Sequence, residues 1–220
     1  IHVCIEPEPG CALDVAADMI DLFQNRLLPL GSEDKILHHI RVCHDVCHSA
    51  VMFESQTDVL RQYQELGIQV GKIQVSSAVQ VDFAQLAASD RTAAFEQLAS
   101  FNEPRYLHQT CIRESNQTIH FHQDLSVALE TVTDPQSLES TWSVHFHVPI
   151  FLESLGLLTT SQKDILECME VCKSMPNLEH FEVETYAWNV LPKHLQQSDL
   201  AQGIADELLW FRNLISPDKS

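Results

Sequence analysis

Short apolar segments alternate with longer amphipathic segments in the first third of the chain. Residues 1–9 alternate strictly between apolar and polar side chains, which predicts a strand with Glu6 and Glu8 on one face. Later segments predict two further strands, each preceded by a helix with an apolar stripe. The strands cover residues 1–9, 36–46 and 70–75, and the helices cover residues 13–28 and 55–66. This order predicts parallel strands joined by right-handed crossovers.

The rest of the chain is less regular in its middle and then returns to the same alternation. Two short strand patterns flank a Ser115-Asn116-Gln117 turn and predict a β-hairpin inserted into the repeat. Two further strands and two further helices follow the hairpin. The strands cover residues 142–151 and 181–187, and the helices begin near residues 159 and 198.

The composition is that of an ordinary globular chain with a strong acidic excess. The chain has 220 residues, 45% of them hydrophobic, and a formal net charge of −18. This charge disfavours binding to a nucleic-acid backbone, which relies on clustered Lys and Arg, and it suits either a cation site or a soluble surface. No apolar run approaches the roughly 20 residues that a membrane helix needs, so we expect no membrane span.

The seven cysteines lack a C-x-x-C pair, which predicts a reduced, cytoplasmic location. Cys43 and Cys47 are spaced four residues apart, as are Cys168 and Cys172, and we expect both pairs to be buried apolar side chains. The chain begins at Ile1, without Met and already in a strand pattern, so we expect further sequence to precede it.

Carboxylates and an imidazole lie where three of the predicted strands end. Asp45 ends the second strand and His48 follows three residues later, so the two groups can surround one metal ion or substrate. Two carboxylates on one buried strand face repel unless a cation lies between them, and we expect Glu6 inside and Glu8 at the rim. In the last strand, Glu184 lies nearer the functional end than the carboxylate two residues before it.

Two histidine pairs have the i, i+2 spacing of metal ligands on one strand face. His145 and His147 are either ligands or part of a sheet face in contact with solvent, and His147 is nearer the strand end. His120 and His122 lie in the predicted hairpin, where we expect structural roles. Gln74 is a polar residue within an apolar run and points toward the same functional end.

Several of these segments resemble the last four strands of the xylose isomerase-like TIM-barrel superfamily. The matching segments are Ile5-Glu6-Pro7, residues 42–48 and residues 182–186. The superfamily contains sugar isomerases, epimerases and endonuclease IV-like enzymes, which hold a divalent metal through a Glu, an Asp with a nearby His, a further His and a final Glu. The histidine of their seventh strand falls at about Gln74 here. Either His145 or His147 replaces it, or the metal site is weakened or lost.

The resemblance also implies roles for individual residues around a divalent Mn, Zn or Mg ion. The implied metal ligands are Glu6, Asp45, His48 and Glu184, and we expect His147 to complete the set. The candidate catalytic carboxylates are Glu6 and Glu184, and the candidate substrate-binding residues are His145, Gln74, His108 and Tyr186.

A longer resemblance covers nearly the whole chain. Residues 5–9, 45–48, 106–109, 144–149 and 182–186 are similar to the C-terminal half of the metabolite-traffic protein E family of bacterial ebo operons. This implies one α/β domain over residues 1–220, built as strands five to eight of a (β/α)8 TIM barrel with an inserted β-hairpin. It also implies a small-molecule or sugar-like ligand, with other ebo-operon proteins as partners.

Three classes of function remain open. The first is a xylose isomerase-like protein whose divalent-metal-type pocket serves the trafficking or export of a secondary metabolite. The second is a metal-dependent aldose–ketose isomerase or epimerase, which the Asp45 and His48 pair favours and Gln74 disfavours. The third, an endonuclease IV-like metal hydrolase, is least favoured because a net charge of −18 opposes nucleic-acid binding.

Overall fold

The structure, a computed structural model, describes residues 1–184, 186–193, 195–196 and 199–216, without the side chains of Tyr186 and Ala187. Within these residues the chain is an α/β protein with one parallel and one antiparallel sheet. The strands are β1 Val3–Ile5, β2 Ile40–Asp45, β3 Val70–Val75, β4 Val79–Asp82, β5 Thr110–Arg113, β6 Ile119–His122, β7 Thr141–Val144, β8 Ser154–Leu155, β9 Leu158–Thr160 and β10 Phe181–Val183.

Helices follow or precede each strand of the parallel sheet. The α-helices are α1 Ala16–Asp21, α2 Glu33–His39, α3 Val46–Val51, α4 Gln56–Glu65, α5 Ala88–Ala99, α6 Leu125–Glu130, α7 Gln162–Cys172 and α8 Leu200–Ile215. A π-helix at Leu22–Leu27 continues α1, and short 3₁₀ turns lie at Leu28–Leu30, Phe83–Gln85, Pro135–Ser137 and Tyr186–Asn189. No helix in the described part of the chain has the length and apolar character that a membrane crossing requires.

The parallel sheet has the strand order β1-β2-β3-β10, which confirms the predicted alternation of strands and helices. Val42, Ile73 and Val75 of the sheet share a core with Leu60 of α4 and Phe211 of α8. Among the described residues these four strands form an open sheet, and no closed barrel is present. The predicted fold is therefore confirmed at the level of an α/β protein with parallel strands.

A β-bulge aligns the polar ends of β2 and β3. The register of the two strands shifts by one residue at Gly71, which is the extra residue on β3. Beyond the bulge, Asp45 lies directly opposite Gln74. A Cβ atom at Gly71 would lie 2.6 Å from Cys4 Sγ and 3.0 Å from Arg41 Cβ, so glycine is required for this close approach.

The predicted hairpin is present, but it is part of a larger inserted sheet, so the predicted size of the insertion was wrong. Between β3 and α7 the chain forms a six-stranded antiparallel sheet in the order β6-β5-β7-β4-β9-β8. The hairpin itself is present as β5 and β6. The predicted strands did not include β4, β8 or β9. β8 and β9 have two and three residues, too few to show a period of two, whereas β4 does alternate over Val79–Asp82 and could have been found. This sheet has its own core, which includes Trp142 and Phe83.

Four predicted strands also have wrong bounds. β1 covers Val3–Ile5 instead of residues 1–9. β2 begins at Ile40 because residues 36–39 belong to α2. β7 ends at Val144 instead of residue 151, since the chain then leaves β4, and the N–H of Val148 donates to Ser77 O at 3.0 Å. The segment with His145 and His147 is therefore an irregular loop. β10 ends at Val183 instead of residue 187.

We predict that Gly71→Ala lowers the free energy of unfolding by about 1–3 kcal/mol, because the added methyl group overlaps Cys4 and Arg41. The measurement is urea denaturation followed by circular dichroism. Gly31→Ala is the matched control, since a Cβ there meets only Ile36 Cδ1 at 3.8 Å. Equal midpoints for the two variants would contradict the packing argument.

Candidate metal and acid–base centre

The C-terminal ends of the four parallel strands bring together polar residues that the sequence singled out. Glu6 follows β1, Asp45 ends β2, Gln74 lies in β3 and Glu184 follows β10. Parallel strands end at one edge of a sheet, so these side chains meet there. Asp45 and Gln74 are buried, whereas the side chains of Glu6 and Glu184 are each 32% exposed.

The side-chain amide of Gln74 lies between three carboxylates. Its Nε2 donates to Glu6 Oε1 at 3.1 Å, to Asp45 Oδ2 at 3.1 Å and to Glu184 Oε2 at 2.7 Å. Its Oε1 accepts a hydrogen bond from Cys43 Sγ at 3.0 Å. The amide has only two N–H groups for three carboxylates. In the described part of the chain no lysine or arginine forms an ion pair with them, so this group has an excess of negative charge.

The pKa values of Asp45 and Glu184 shift in opposite directions. Burial alone would raise the pKa of Asp45, but the charge of His48 and hydrogen bonds from the His48 backbone N–H (3.0 Å) and Ser76 Oγ (2.7 Å) hold it well below its usual range. Burial, the charge of Asp45 and a hydrogen bond to Asp45 raise the pKa of Glu184 to about 7. One ionised and one protonatable carboxyl group are typical of an acid–base centre.

His48 supplies positive charge to these carboxylates. Its Nδ1 donates to Pro7 O at 3.0 Å and lies 3.3 Å from Glu6 Oε1. Burial would lower the pKa of His48, but the negative charges of Asp45, Glu6 and Glu8 outweigh that effect and raise it. The same negative charges would attract a metal cation.

His145 and His147 lie beside His48. The ring centroid of His48 is 4.7 Å from that of His145 and 6.2 Å from that of His147, and the last two are 5.3 Å apart. Burial lowers the pKa of His147 to about 4 and that of His145 well below its usual value. Both rings are therefore neutral at pH 7, which is the state that binds a metal.

Three sets of donor atoms in the described residues could hold a metal ion. In each set, one ligand atom per residue lies within 4.8 Å of the others. The sets are Asp45–His48–His147, Glu8–His48–His145 and Cys47–His145–His147. Glu6 and Glu184, which were predicted as ligands, belong to none of them and are hydrogen-bonded to Gln74 instead.

Two small cavities adjoin the centre. One is lined by His147, Glu184 and Glu207, and the other by Asp45 and His48, among other residues. Each has a volume of about 10 Å³. This is room for about one water molecule, so a larger ligand has to approach from the exposed side of Glu6 and Glu184.

Two predicted substrate-binding residues lie apart from this group. His108 Nδ1 is 3.1 Å from His145 O, His108 Nε2 is 3.1 Å from Glu103 Oε1, and the ring stacks on Phe146 at 4.8 Å. The structure therefore places His108 behind the His145 backbone, as its support. The side chain of Tyr186 lies outside the described residues.

Glu207 is a buried carboxylate that sequence reasoning missed. Its Oε1 accepts from the Ile150 N–H at 3.1 Å, and its Oε2 accepts from Trp188 Nε1 at 2.9 Å. Burial raises its pKa to about 7. Its position on the apolar stripe of the last helix, between Ile204 and Phe211, could have indicated a buried carboxylate.

Three further residues of the centre gave no signal in the sequence. Ser76 donates to Asp45, Gln109 Oε1 lies 2.8 Å from His145 Nδ1, and Cys47 approaches His145 and His147. The expectation that Cys47 is buried was confirmed. Its approach to two imidazoles depends on tertiary contacts with a loop almost 100 residues away.

Comparisons with known proteins assign neither a family nor a function to the chain. No protein-family model matches the chain, and no curated protein and no solved structure is significantly similar to it. A functional proposal therefore depends on the geometry of this centre.

We predict that Glu184→Gln reduces the pH dependence of stability. The folded-state pKa of Glu184 is about 7, above its usual 4.5, so its contribution is complete below about pH 4.5 and is lost as the pH rises through about 7. Gln imitates the protonated acid and keeps its contribution at every pH. Between pH 5 and pH 8 the variant should lose about 1–2 kcal/mol less stability than the unaltered protein, after allowance for partial exposure.

Urea denaturation at each pH is the measurement, and Glu182→Gln is the control. Glu182 lies on the same strand, but its side chain is 61% exposed and pairs with Lys72. The control should follow the unaltered protein. Parallel curves for Glu184→Gln and the unaltered protein would show that Glu184 does not bind a proton in this range.

Proposed function

We propose that this protein is a xylose isomerase-like protein that holds a divalent metal ion at a buried site and binds a small hydroxylated metabolite beside it, at the open edge of the parallel sheet. The observation that carries the proposal is the buried Asp45–His48–His147 set beside the partly exposed carboxylates of Glu6 and Glu184. The sequence resemblance to the ebo-operon family supports a role in trafficking or exporting a secondary metabolite, with other ebo-operon proteins as partners.

The parallel sheet supports a place in a TIM barrel. β1, β2, β3 and β10 lie side by side in chain order, as consecutive strands of a (β/α)8 barrel do. Their candidate functional residues lie at the C-terminal strand ends, where such barrels have their active sites. We infer that the sheet is a four-stranded sector of a barrel and that the antiparallel sheet is an insertion in its third βα unit.

The Asp45–His48–His147 set fits a divalent ion. Asp45 is ionised, His147 is neutral, and His48 would release its proton when it binds. Ser76 and the carbonyl of Pro7 hold Asp45 and His48 in place, as outer-shell partners of metal ligands do. A bound ion supplies Lewis-acid chemistry toward a hydroxyl or carbonyl group.

The partly exposed carboxylates are the groups that a metabolite can reach. Glu6 and Glu184 accept hydrogen bonds from Gln74 and have oxygen lone pairs left for substrate hydroxyl groups. With a pKa of about 7, Glu184 can also release or accept a proton at neutral pH. This arrangement suits a ligand with several hydroxyl groups.

Metal-dependent aldose–ketose isomerisation or epimerisation is the second candidate, and the pKa of Glu184 is what favours it. One route for these reactions uses a base that removes a proton from carbon next to a carbonyl group and then returns it. The hydrogen bonds from Gln74 to Glu6 and Glu184 favour the non-catalytic role, because a carboxylate bound to an amide is a weaker base. Hydrolysis of nucleic acid has the least support, given a net charge of −18.

We predict that the protein binds about one Mn²⁺ per chain and that Asp45→Asn weakens this binding at least about 100-fold, since even supporting groups of metal sites contribute 10- to 100-fold. The measurement is isothermal titration calorimetry with manganese chloride on metal-free protein. His120→Ala is the control, because His120 is exposed on β6 and away from the donor sets. Equal affinities for Asp45→Asn and the control would contradict the proposed site.

Conversion of the sugar itself separates the enzyme from the carrier. An isomerase incubated with aldoses and ketoses and Mn²⁺ would form the isomeric sugar, whether hydrogen moves through a base or as a hydride between neighbouring carbons. By the base route, D₂O would also place deuterium next to the carbonyl group, and Glu184→Gln would abolish this. A protein that binds Mn²⁺ and converts none of these sugars supports the trafficking role.

A further inference from the structure

A thiol and two imidazoles form a second donor set that includes none of the carboxylates bound to Gln74. Ligand atoms of Cys47, His145 and His147 lie within 4.8 Å of one another. All three side chains are buried, with residue exposures of 0%, 6% and 4%. The set shares His147 with the Asp45–His48–His147 set, and its other two ligands, Cys47 and His145, do not belong to the proposed manganese site.

Hydrogen bonds to neighbouring side chains orient the other two residues of the set, His145 and Cys47. His145 Nδ1 lies 2.8 Å from Gln109 Oε1, and an N–H on this nitrogen leaves Nε2 as the lone-pair donor. The backbone N–H of Cys47 donates to Ser76 Oγ at 2.9 Å. Hydrogen bonds of this kind orient the ligands in metal sites.

The surroundings of Cys47 are apolar. Its side chain packs with Val51, Ala78 and Cys111 in a small hydrophobic cluster. The residue is fully buried, so water does not reach the sulfur atom, and the two imidazoles offer nitrogen donors within 4.8 Å of it.

We propose that Cys47, His145 and His147 form a binding site for a thiophilic ion such as Zn²⁺. Cysteine and histidine are the usual zinc ligands, whereas Mg²⁺ and Mn²⁺ prefer oxygen donors. Zinc bonds of about 2.0–2.3 Å place donor atoms roughly 3.5 Å apart, so the three atoms move together by about 1 Å on binding. A zinc–sulfur bond replaces the S–H bond and one proton passes to solvent, with no change of oxidation state.

Cobalt(II) chloride is the probe, because a cobalt–thiolate bond has a charge-transfer absorption in the near ultraviolet and cobalt otherwise substitutes for zinc. We expect this band in the unaltered protein and in Asp45→Asn, and its loss in Cys47→Ser and His145→Ala. Zinc affinity should fall at least about tenfold in the last two. Cys111→Ser is the matched control, since Cys111 is buried in the same apolar cluster and belongs to none of the donor sets.

The outcomes separate this site from the one proposed above. Loss of the cobalt band in Cys47→Ser with unchanged Mn²⁺ binding supports two separate donor sets. A protein that binds cobalt without a charge-transfer band, or with a band that survives Cys47→Ser, overturns the thiolate site and leaves the manganese site standing. A cobalt band without any Mn²⁺ binding overturns the manganese site alone. Circular dichroism checks that each variant is folded, and Cys47→Ala replaces Cys47→Ser if the hydroxyl is not tolerated.

Discussion

The amide of Gln74 determines where a cation can bind in this centre. Its two N–H groups are directed at three carboxylates, those of Glu6, Asp45 and Glu184, at 2.7–3.1 Å. The nitrogen stands where a cation would otherwise balance their charge, yet it neutralises none of it. Burial and the charge of Asp45 raise the pKa of Glu184, and the negative charges of Asp45, Glu6 and Glu8 raise that of His48. A metal ion that enters without displacing Gln74 must bind on the histidine side of Asp45.

This constraint divides the centre into two parts. Asp45, His48 and His147 are buried and close together, and they suit an ion that stays in place. Glu6 and Glu184 remain about one-third exposed and suit contact with a ligand. The cavities between these parts are too small for a sugar, so a ligand has to bind at the open edge of the sheet. A carrier and an isomerase can share this layout, and the basicity of Glu184 distinguishes them.

Local sequence patterns predicted the parallel strands and the carboxylates at their ends. Glu6, Asp45, Gln74 and Glu184 could be found because each follows or interrupts a short apolar run, and parallel strands bring such positions together. His145 and His147 were singled out for a wrong reason, as neighbours on a strand face. They lie on a loop, and the packing of the inserted sheet brings them to His48. Cys47 and Gln109 could not be assigned, because only long-range contacts with that loop give them a role.

The inserted antiparallel sheet also depends on contacts between residues far apart in the sequence. Its strands are short, and several pair with strands far away in the sequence, so local patterns do not show which strands pair. The Gly71 bulge could not be predicted either, since it depends on the approach of Cys4 from β1 and Arg41 from β2. Both features affect the site directly. The bulge sets Asp45 opposite Gln74, and the insertion supplies two of the histidines.

Anomalous diffraction from crystals of the protein soaked with manganese tests the central claim most directly. We predict one strong peak at about 2.1 Å from donor atoms of Asp45, His48 and His147, with the Gln74 amide still bonded to the carboxylates. A peak among Glu6, Asp45 and Glu184 with Gln74 displaced, or peaks on exposed surface carboxylates alone, would contradict the account.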